Sequence, residues 1–440
     1  MRPVVAIVGR PNVGKSSLFN FLAGERIAIV KDEPGVTRDR IYADVDWNGR
    51  NFTVIDTGGI EPESKDVILS QMREQAQIAI DTAHVIIFMT DVQMGLSDAD
   101  DKVAAILRRS GKKVLLAVNK VDSFKKYEAD VYEFYNRGLG DPIAISAEQK
   151  SGIGDLLDEV VKLLPPEGEA EEEDERPRIA IVGRPNVGKS SLINKYIGKD
   201  RLIVSDIAGT TRDAIDTVVK RNGREYIFVD TAGLRRKSRI SGELEAYMIA
   251  RTVSAVDRAD IVVLVIDGSE GVAEQDAKIA GIAHERGKGV IIAVNKWDAV
   301  EKDDKTIYKM RESVMQTLSF MPYAEILFIS AKTGQRTEKL FESIDTVIAN
   351  QSLRIQTGVL NEIISEAVTM QQPPSDKGRR LRVLYATQVS VKPPTIVIFV
   401  NSAKLMHYSY TRYLENRIRD AFGFHGTPIR FVIKERKSEE

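Results

Sequence analysis

The sequence predicts an α/β chain: two consecutive doubly wound domains with mostly parallel sheets, then a small α+β domain. Three observations carry this. The segment AIVGRPNVGKSSL at Ala6–Leu18 recurs letter for letter at Ala180–Leu192, so a whole domain is duplicated. Within each copy, apolar strand-like runs alternate with helical stretches, the signature of a parallel sheet with crossover helices. From Ser352 onward the alternation stops, and 14 Lys/Arg stand against 8 Asp/Glu.

The chain has 440 residues, 43% hydrophobic and 29% charged, which is the composition of a globular protein with ordinary cores. Lys plus Arg total 63 and Asp plus Glu 64, so the basic tail is balanced by the rest. Cysteine is absent, which excludes a disulfide framework, a thiol nucleophile and thiolate metal sites. The four histidines (His84, His284, His407, His425) show no metal-ligand spacing. No apolar run approaches the ~20 residues a membrane span requires, and the chain is expected to be cytoplasmic and monomeric.

The elements follow in order. Val4–Val8 reads as a buried parallel strand, Gly9–Gly14 as a loop, and Ser16–Ala23 as a helix closed by Gly24. Strands over Ile41–Trp47 and Phe52–Ile55 flank Asn48-Gly49, a hairpin turn. Val85–Asp91, Val114–Asn119 and Ile143–Ser146 are further strands, with helices near Asp98–Arg109, Tyr127–Asn136 and Gly154–Leu163. The second copy repeats the scheme, with Asn222-Gly223 as its hairpin turn. Between the copies, the like-charged run Glu167–Glu175 cannot pack and reads as an extended linker. The tail reads helix Leu353–Met370, strands Arg382–Val391 and Thr395–Asn401, helix Arg412–Phe422 and strand Ile429–Lys434. The expected domains are 1–166, linker 167–176, 177–350 and 351–440.

Each copy then carries the parts of a nucleotide site. Gly9-Arg10-Pro11-Asn12-Val13-Gly14-Lys15-Ser16 and Gly183-Arg184-Pro185-Asn186-Val187-Gly188-Lys189-Ser190 fit the phosphate-loop pattern, each after a strand and opening a helix. The glycines let backbone N–H groups turn around phosphate oxygens at a helix N-terminus. Lys15 and Lys189 reach the β- and γ-phosphates, and the Ser16 and Ser190 hydroxyls can ligate Mg²⁺. Asp56-Thr57-Gly58-Gly59-Ile60 and Asp230-Thr231-Ala232-Gly233-Leu234 end the third strands; the Asp can hold Mg²⁺, and Gly59 or Gly233 can sense the γ-phosphate. Thr37 and Thr211, in Gly-containing loops, can complete the Mg²⁺ shell when the triphosphate is bound. Asn119-Lys120-Val121-Asp122 and Asn295-Lys296-Trp297-Asp298 place a carboxylate where guanine offers two donors and adenine does not. Ser146-Ala147 and Ser330-Ala331 supply the loop that faces guanine O6. Together these read as GTP sites, with Lys15, Thr37, Gly59, Lys189, Thr211 and Gly233 as the catalytic set.

Two features set the chemistry apart. Ile60 and Leu234 stand where many GTPases carry a water-orienting Gln, so another group must hold the water. Asn12 and Asn186 can help hold a monovalent cation against the phosphates, although Asn is also an ordinary turn former. Arg38, Arg212, Arg235 and Arg236 weigh lower as transition-state cations, because switch-loop arginines more often meet solvent. In the tail, Lys377-Gly378-Arg379-Arg380-Leu381-Arg382 is a basic cluster, and the aromatics Tyr408, Tyr410, Tyr413, Phe422 and Phe424 are mostly core candidates.

With the duplicated GRPNVGKSSL, DTGG with DTAG, NKVD with NKWD, the acidic linker and the basic tail, the whole chain resembles the tandem-GTPase family called Der or EngA. The resemblance implies GTP hydrolysis with Mg²⁺, K⁺ stimulation through Asn12 and Asn186, and a KH-like tail domain without a Gly-x-x-Gly clamp. It also implies assembly of the large (50S) ribosomal subunit and binding to ribosomal RNA. A tRNA-modifying GTPase is disfavoured by the lack of Cys and the two copies. A non-hydrolysing scaffold is disfavoured because both sites keep Lys, Ser, Asp and Thr.

Overall fold

A computed structural model of the chain describes residues 2–24, 42–57, 65–95, 97–123, 127, 130–166, 174, 176–199, 216–221, 223–231, 245–376 and 379–436. Of these, residues 65–71, 74, 136, 137, 197–199, 245–247 and 376 are described by backbone alone. The expectations placed on Ile41, Asn222 and the acidic run at 167–173 and 175 lie outside the described residues. The described residues form two compact units, one holding the first copy together with residues 245–257, the other the rest of the second copy and the tail.

In the first unit, strands β1 (Val4–Gly9), β2 (Tyr42–Trp47), β3 (Arg50–Asp56), β4 (Val85–Asp91), β5 (Lys113–Asn119) and β6 (Ile143–Ala144) form one sheet in the order β2-β3-β1-β4-β5-β6. All neighbours are parallel except the β2–β3 hairpin. β1 and β4 are buried along their whole length, as a central strand covered by helices on both faces must be. One face packs Val4, Ala6 and Val8 beneath Met72, Ala76 and Ala79 of the helix Lys65–Thr82. The other packs Val5 and Ile7 with Leu18 and Leu22 of the helix Lys15–Gly24 and Leu156 and Val160 of the helix Ile153–Leu163. Each Val, Leu, Ile or Met side chain among these contributes about 1.5–3 kcal/mol by leaving water.

In the second unit, β7 (Arg178–Val182), β8 (Thr217–Arg221), β9 (Arg224–Val229), β10 (Ile261–Asp267), β11 (Gly289–Asn295) and β12 (Glu325–Phe328) repeat the order as β8-β9-β7-β10-β11-β12. After the helix Lys339–Ser352, the tail adds the helix Thr357–Met370, a two-residue pair β13 (Ser375–Asp376) and β14 (Arg379–Arg380), and a three-stranded sheet. That sheet joins β15 (Val383–Ser390), β16 (Thr395–Val400) and β17 (Arg430–Glu435), antiparallel then parallel, with the helix Tyr408–Phe422 against one face. Tyr410 and Phe424 are core, Tyr413 and Phe422 pack on it, and Tyr408 is exposed. Within the same unit the tail is spliced to the nucleotide domain by backbone. Val290 N–H donates to the Gly426 carbonyl at 2.7 Å, Gly426 N–H to the Tyr323 carbonyl at 2.7 Å, and Lys392 N–H to the Gln351 carbonyl at 3.1 Å.

Several element expectations need correction. Leu353 and Gln356 are extended, so the helix expected from Leu353 begins at Thr357; Gln388 Oε1 takes the Ile355 N–H at 2.7 Å and holds the approach open. The helix expected from Arg412 begins at Tyr408, because burying Tyr410 adds a turn. The stretch expected as a helix over Tyr127–Asn136 ends as a tight turn of 3₁₀ helix at Glu133–Arg137. The strand expected over Ile143–Ser146 pairs only at Ile143–Ala144; Ser146 instead bridges to Ser151. The helices Lys65–Thr82 and Glu245–Arg258 were not anticipated.

Candidate functional site

Both phosphate loops leave the carboxyl ends of the central strands β1 and β7 and turn into the helices Lys15–Gly24 and Lys189–Lys199. The turns need their glycines. A Cβ on Gly9 would lie 2.4 Å from the Met89 carbonyl oxygen, and one on Gly183 2.3 Å from that of Val265. Gly14 and Gly188 sit at φ +98° and +101°, and a Cβ on either would lie 2.2 Å from an asparagine Nδ2. Val13 and Val187 plug each loop into the core, and the exposed Asn12 and Asn186 adopt left-handed φ of 64° and 62°. Pro11 and Pro185 are half-buried beside them.

The lysines fold back over the loops. Lys15 Nζ donates to the carbonyls of Gly9 at 2.8 Å and Arg10 at 2.7 Å. Lys189 Nζ donates to Gly183 at 2.6 Å and Arg184 at 2.5 Å. Burial pushes the Lys15 ammonium down to about 8, against the opposing pull of Asp56. Ser16 Oγ donates to Asp56 Oδ2 at 3.1 Å, so a hydroxyl and a carboxylate share one spot beside the loop. Two hard oxygens there are the donor set Mg²⁺ prefers. Thr57 Oγ1 donates to the Ile7 carbonyl at 2.6 Å, tying the third strand to β1, whereas Thr231 Oγ1 meets Thr217 Oγ1 at 2.6 Å. Asp230 N–H donates to Asp216 Oδ1 at 3.1 Å. The expected site residues Thr37, Gly58, Gly59, Ile60, Thr211, Ala232, Gly233 and Leu234 lie outside the described residues, as do Arg38, Arg212, Arg235, Arg236, Lys377 and Gly378.

The expected base-recognition residues come together in both copies. Asn119 Nδ2 donates to the Val13 carbonyl at 2.7 Å and its Oδ1 accepts the Ala147 N–H at 2.9 Å. Asn295 does the same with Val187 at 2.8 Å and Ala331 at 2.9 Å. The Ser146 hydroxyl donates to Asp122 Oδ1 at 2.8 Å, and Ser330 to Asp298 Oδ1 at 2.5 Å. The Ser330 bond holds the Asp298 carboxyl below the usual carboxylate range. Val121 and Trp297 are buried beneath this loop; Trp297 packs on Phe328, ring centroids 4.5 Å apart.

Sequence reasoning missed four carboxylates behind the site. Lys120 pairs with Asp91 at 2.6 Å and Lys296 with Asp267 at 2.5 Å. Arg10 pairs with Asp100 at 2.9 Å and Arg184 with Asp276 at 3.1 Å, so these two arginines are turned to the β4–helix and β10–helix loops. The readable signal was a shared Asp-x3-Gly-x4-Asp spacing, at Asp91–Asp100 and Asp267–Asp276.

A phosphate loop at the carboxyl end of the central strand of a doubly wound sheet defines the class: a phosphate-loop nucleotide-binding fold built twice in one chain. A family model described as "50S ribosome-binding GTPase" matches residues 4–120 and 178–296, and one described as "KH-domain-like of EngA bacterial GTPase enzymes, C-terminal" matches 354–434. Proteins named GTPase Der from Agathobacter rectalis, Lachnoclostridium phytofermentans and Lachnospira eligens are 72%, 69% and 67% identical over 439 residues, covering 100% of both chains in each case. The chain belongs to the Der family of GTPases. It binds GTP and GDP with Mg²⁺ and hydrolyses GTP. Among the described residues, no helix is long and apolar enough to cross a membrane.

Proposed function

We propose that this GTPase is an assembly factor for the large ribosomal subunit, binding ribosomal RNA and its precursor particles according to nucleotide state. The carrying observation is the splice between Gly426 of the basic KH-like domain and Val290 of β11, the strand that ends in Asn295 of the base loop. A nucleotide-dependent change at that loop has a continuous backbone path to an RNA-binding module. The tail also offers an outward sheet face on which Tyr385 and Phe399 stack at 4.3 Å and 13°, with the Arg436 guanidinium 6.0 Å over Tyr385. Stacked rings beside cations suit unpaired bases.

In this reading the domains run 1–166, 177–350 and 351–440 around the linker 167–176, and the protein works as a cytoplasmic monomer. Backbone N–H groups of residues 12–16 and 186–190 cradle the phosphates, and Lys15 and Lys189 exchange loop carbonyls for phosphate oxygens. Ser16, Thr37 and Asp56, and Ser190, Thr211 and Asp230, hold Mg²⁺, which neutralises charge on the phosphates. Asn12 and Asn186 help hold K⁺. Gly59 and Gly233 report the γ-phosphate, while Ile60 and Leu234 leave the water to be oriented by other groups. Asp122 and Asp298 accept guanine's two donors, with Ser146, Ala147, Ser330 and Ala331 closing the base pocket.

Co-sedimentation with ribosomal subunits under GDP, GTP and a non-hydrolysable analogue tests the proposal. Binding to the large subunit that depends on the nucleotide is expected. Equal recovery with every nucleotide, or none with any, would refute it.

A further inference from the structure

Behind each nucleotide site runs a loop anchored at both ends by a buried carboxylate. In the first copy it starts at Asp91, the last residue of β4, and reaches Asp100 in the first turn of the helix Asp98–Arg109. Both side chains are fully buried. Asp91 Oδ1 accepts the Gln93 N–H at 2.9 Å, and Oδ2 pairs with the Lys120 ammonium at 2.6 Å. Asp100 Oδ2 accepts the Ser97 N–H at 3.0 Å and hydroxyl at 2.9 Å, and pairs with Arg10 Nε at 2.9 Å. Arg10 Nη2 also donates to the Gly95 carbonyl at 2.9 Å.

The second copy repeats this with different residues between the anchors. Asp267 Oδ1 accepts from Ser269 N–H at 2.9 Å and Oγ at 2.6 Å, and Oδ2 pairs with Lys296 at 2.5 Å. Asp276 Oδ2 accepts the Ala273 N–H at 3.0 Å, and both its oxygens receive Arg184 Nε at 3.1 Å. Arg184 Nη2 donates to the Gly271 carbonyl at 3.3 Å. Gly95 and Gly271 hold positive φ of 62° and 80° at the same point of the spacing.

A buried carboxylate is expensive unless a cation meets it. Here each loop draws its two cations from two other loops: the lysine from the base-recognition motif and the arginine from the phosphate loop. We infer that the stretch between Asp91 and Asp100, and that between Asp267 and Asp276, is a tie-bar that sets the relative position of the base loop and the phosphate loop. The four aspartates are positioning residues; they touch the loops and not the nucleotide. A rigid bar keeps the two half-sites in register before ligand arrives, so less ordering is required on binding. The inference rests on reading these loops as the guanine-nucleotide site.

A bar fails when either end is released, so its two ends must be non-additive. The test is a double-mutant cycle of Asp91→Asn and Asp100→Asn in the full chain carrying Lys189→Ala, with GDP affinity read by titration and kcat at saturating GTP. Each single variant should weaken GDP and GTP alike by about tenfold, the scale at which outer-shell partners act, with kcat little changed. The double variant should also lose about tenfold. A loss near hundredfold, the product of independent effects, would overturn the tie-bar, as would wild-type affinity in either single variant. If Asp100→Asn does not fold, Asp100→Glu, which keeps a charge against Arg10 but displaces the anchor, takes its place in the cycle. The Lys189→Ala parent must itself bind GDP; failure there would overturn the site reading and this inference with it.

Discussion

Asn119 and Val13 are joined across the first site by a 2.7 Å hydrogen bond from the Asn119 side-chain amide to the Val13 carbonyl. The same amide group accepts the Ala147 N–H, so one buried side chain satisfies the phosphate loop and the base loop together. Asn119→Ala strands a carbonyl and an N–H, at about 1–3 kcal/mol each. The variant should melt lower and lose GDP affinity by at least tenfold, measured by thermal unfolding and titration. Asn295→Ala should act the same way at the second site, through Val187 and Ala331.

Lys15 should link nucleotide binding at the proposed first site to pH. Its folded value, about 8, lies below the ordinary 10.5. Below about pH 8 the folded protein carries the buried ammonium at its full cost; that cost is relieved as pH climbs from 8 toward 10.5, so stability should rise across that window. Phosphate favours the ammonium. GDP affinity at the first site, measured with Lys189→Ala, should stay level up to about pH 8 and then fall by about tenfold per unit. A flat profile through pH 10 contradicts this, and Lys15→Ala should bind weakly at every pH.

In the proposed sites Asp122 and Asp298 carry the choice of base. Asp122→Asn or Asp298→Asn exchanges an acceptor for a donor, and each altered site should come to prefer xanthosine over guanosine nucleotides. Competition binding at one site, with the other disabled, is the check; undiminished guanine selectivity would count against the base-recognition assignment.

Asn12 and Asn186 take a left-handed conformation in each phosphate loop and are the residues proposed to help hold K⁺. Replacing K⁺ by Na⁺ should slow GTP hydrolysis, and Asn12→Ala with Asn186→Ala should remove the difference. Equal rates in the two salts would dismiss the cation role.

Gly426 tests the splice to the KH-like domain. It sits at φ +75°, and a Cβ there would lie 2.2 Å from Val347 Cγ2. Gly426→Ala should lower the melting temperature of the second unit by several degrees and increase amide exchange at Val290. Unchanged exchange would show that the bond from Val290 to Gly426 is dispensable.

Much of this was legible because it is local. Phosphate loops, the Asn48-Gly49 turn and the uninterrupted apolar run of β4 are contiguous strings whose backbone requirement is written in the residues themselves. What escaped depends on distant partners. The start of the helix at Thr357 follows from Gln388 reaching back to Ile355 N–H. The helix Lys65–Thr82 presents Met72, Ala76 and Ala79 to the sheet, but its small alanines make a weak apolar stripe. Asp91 closes a strand and Asp100 opens a helix with no sign of a role until the fold delivers Lys120 and Arg10 to them.

The late position of Gly426 has a bearing on biosynthesis. Each copy contains all of its own strand partners, and the first can pair its strands while the chain is still emerging. In the second, the amide that opens β11 waits for a carbonyl made only near the end of translation. Until then β11 lacks that anchor, so an excess of GDP should protect nascent chains against protease in the first copy before the second.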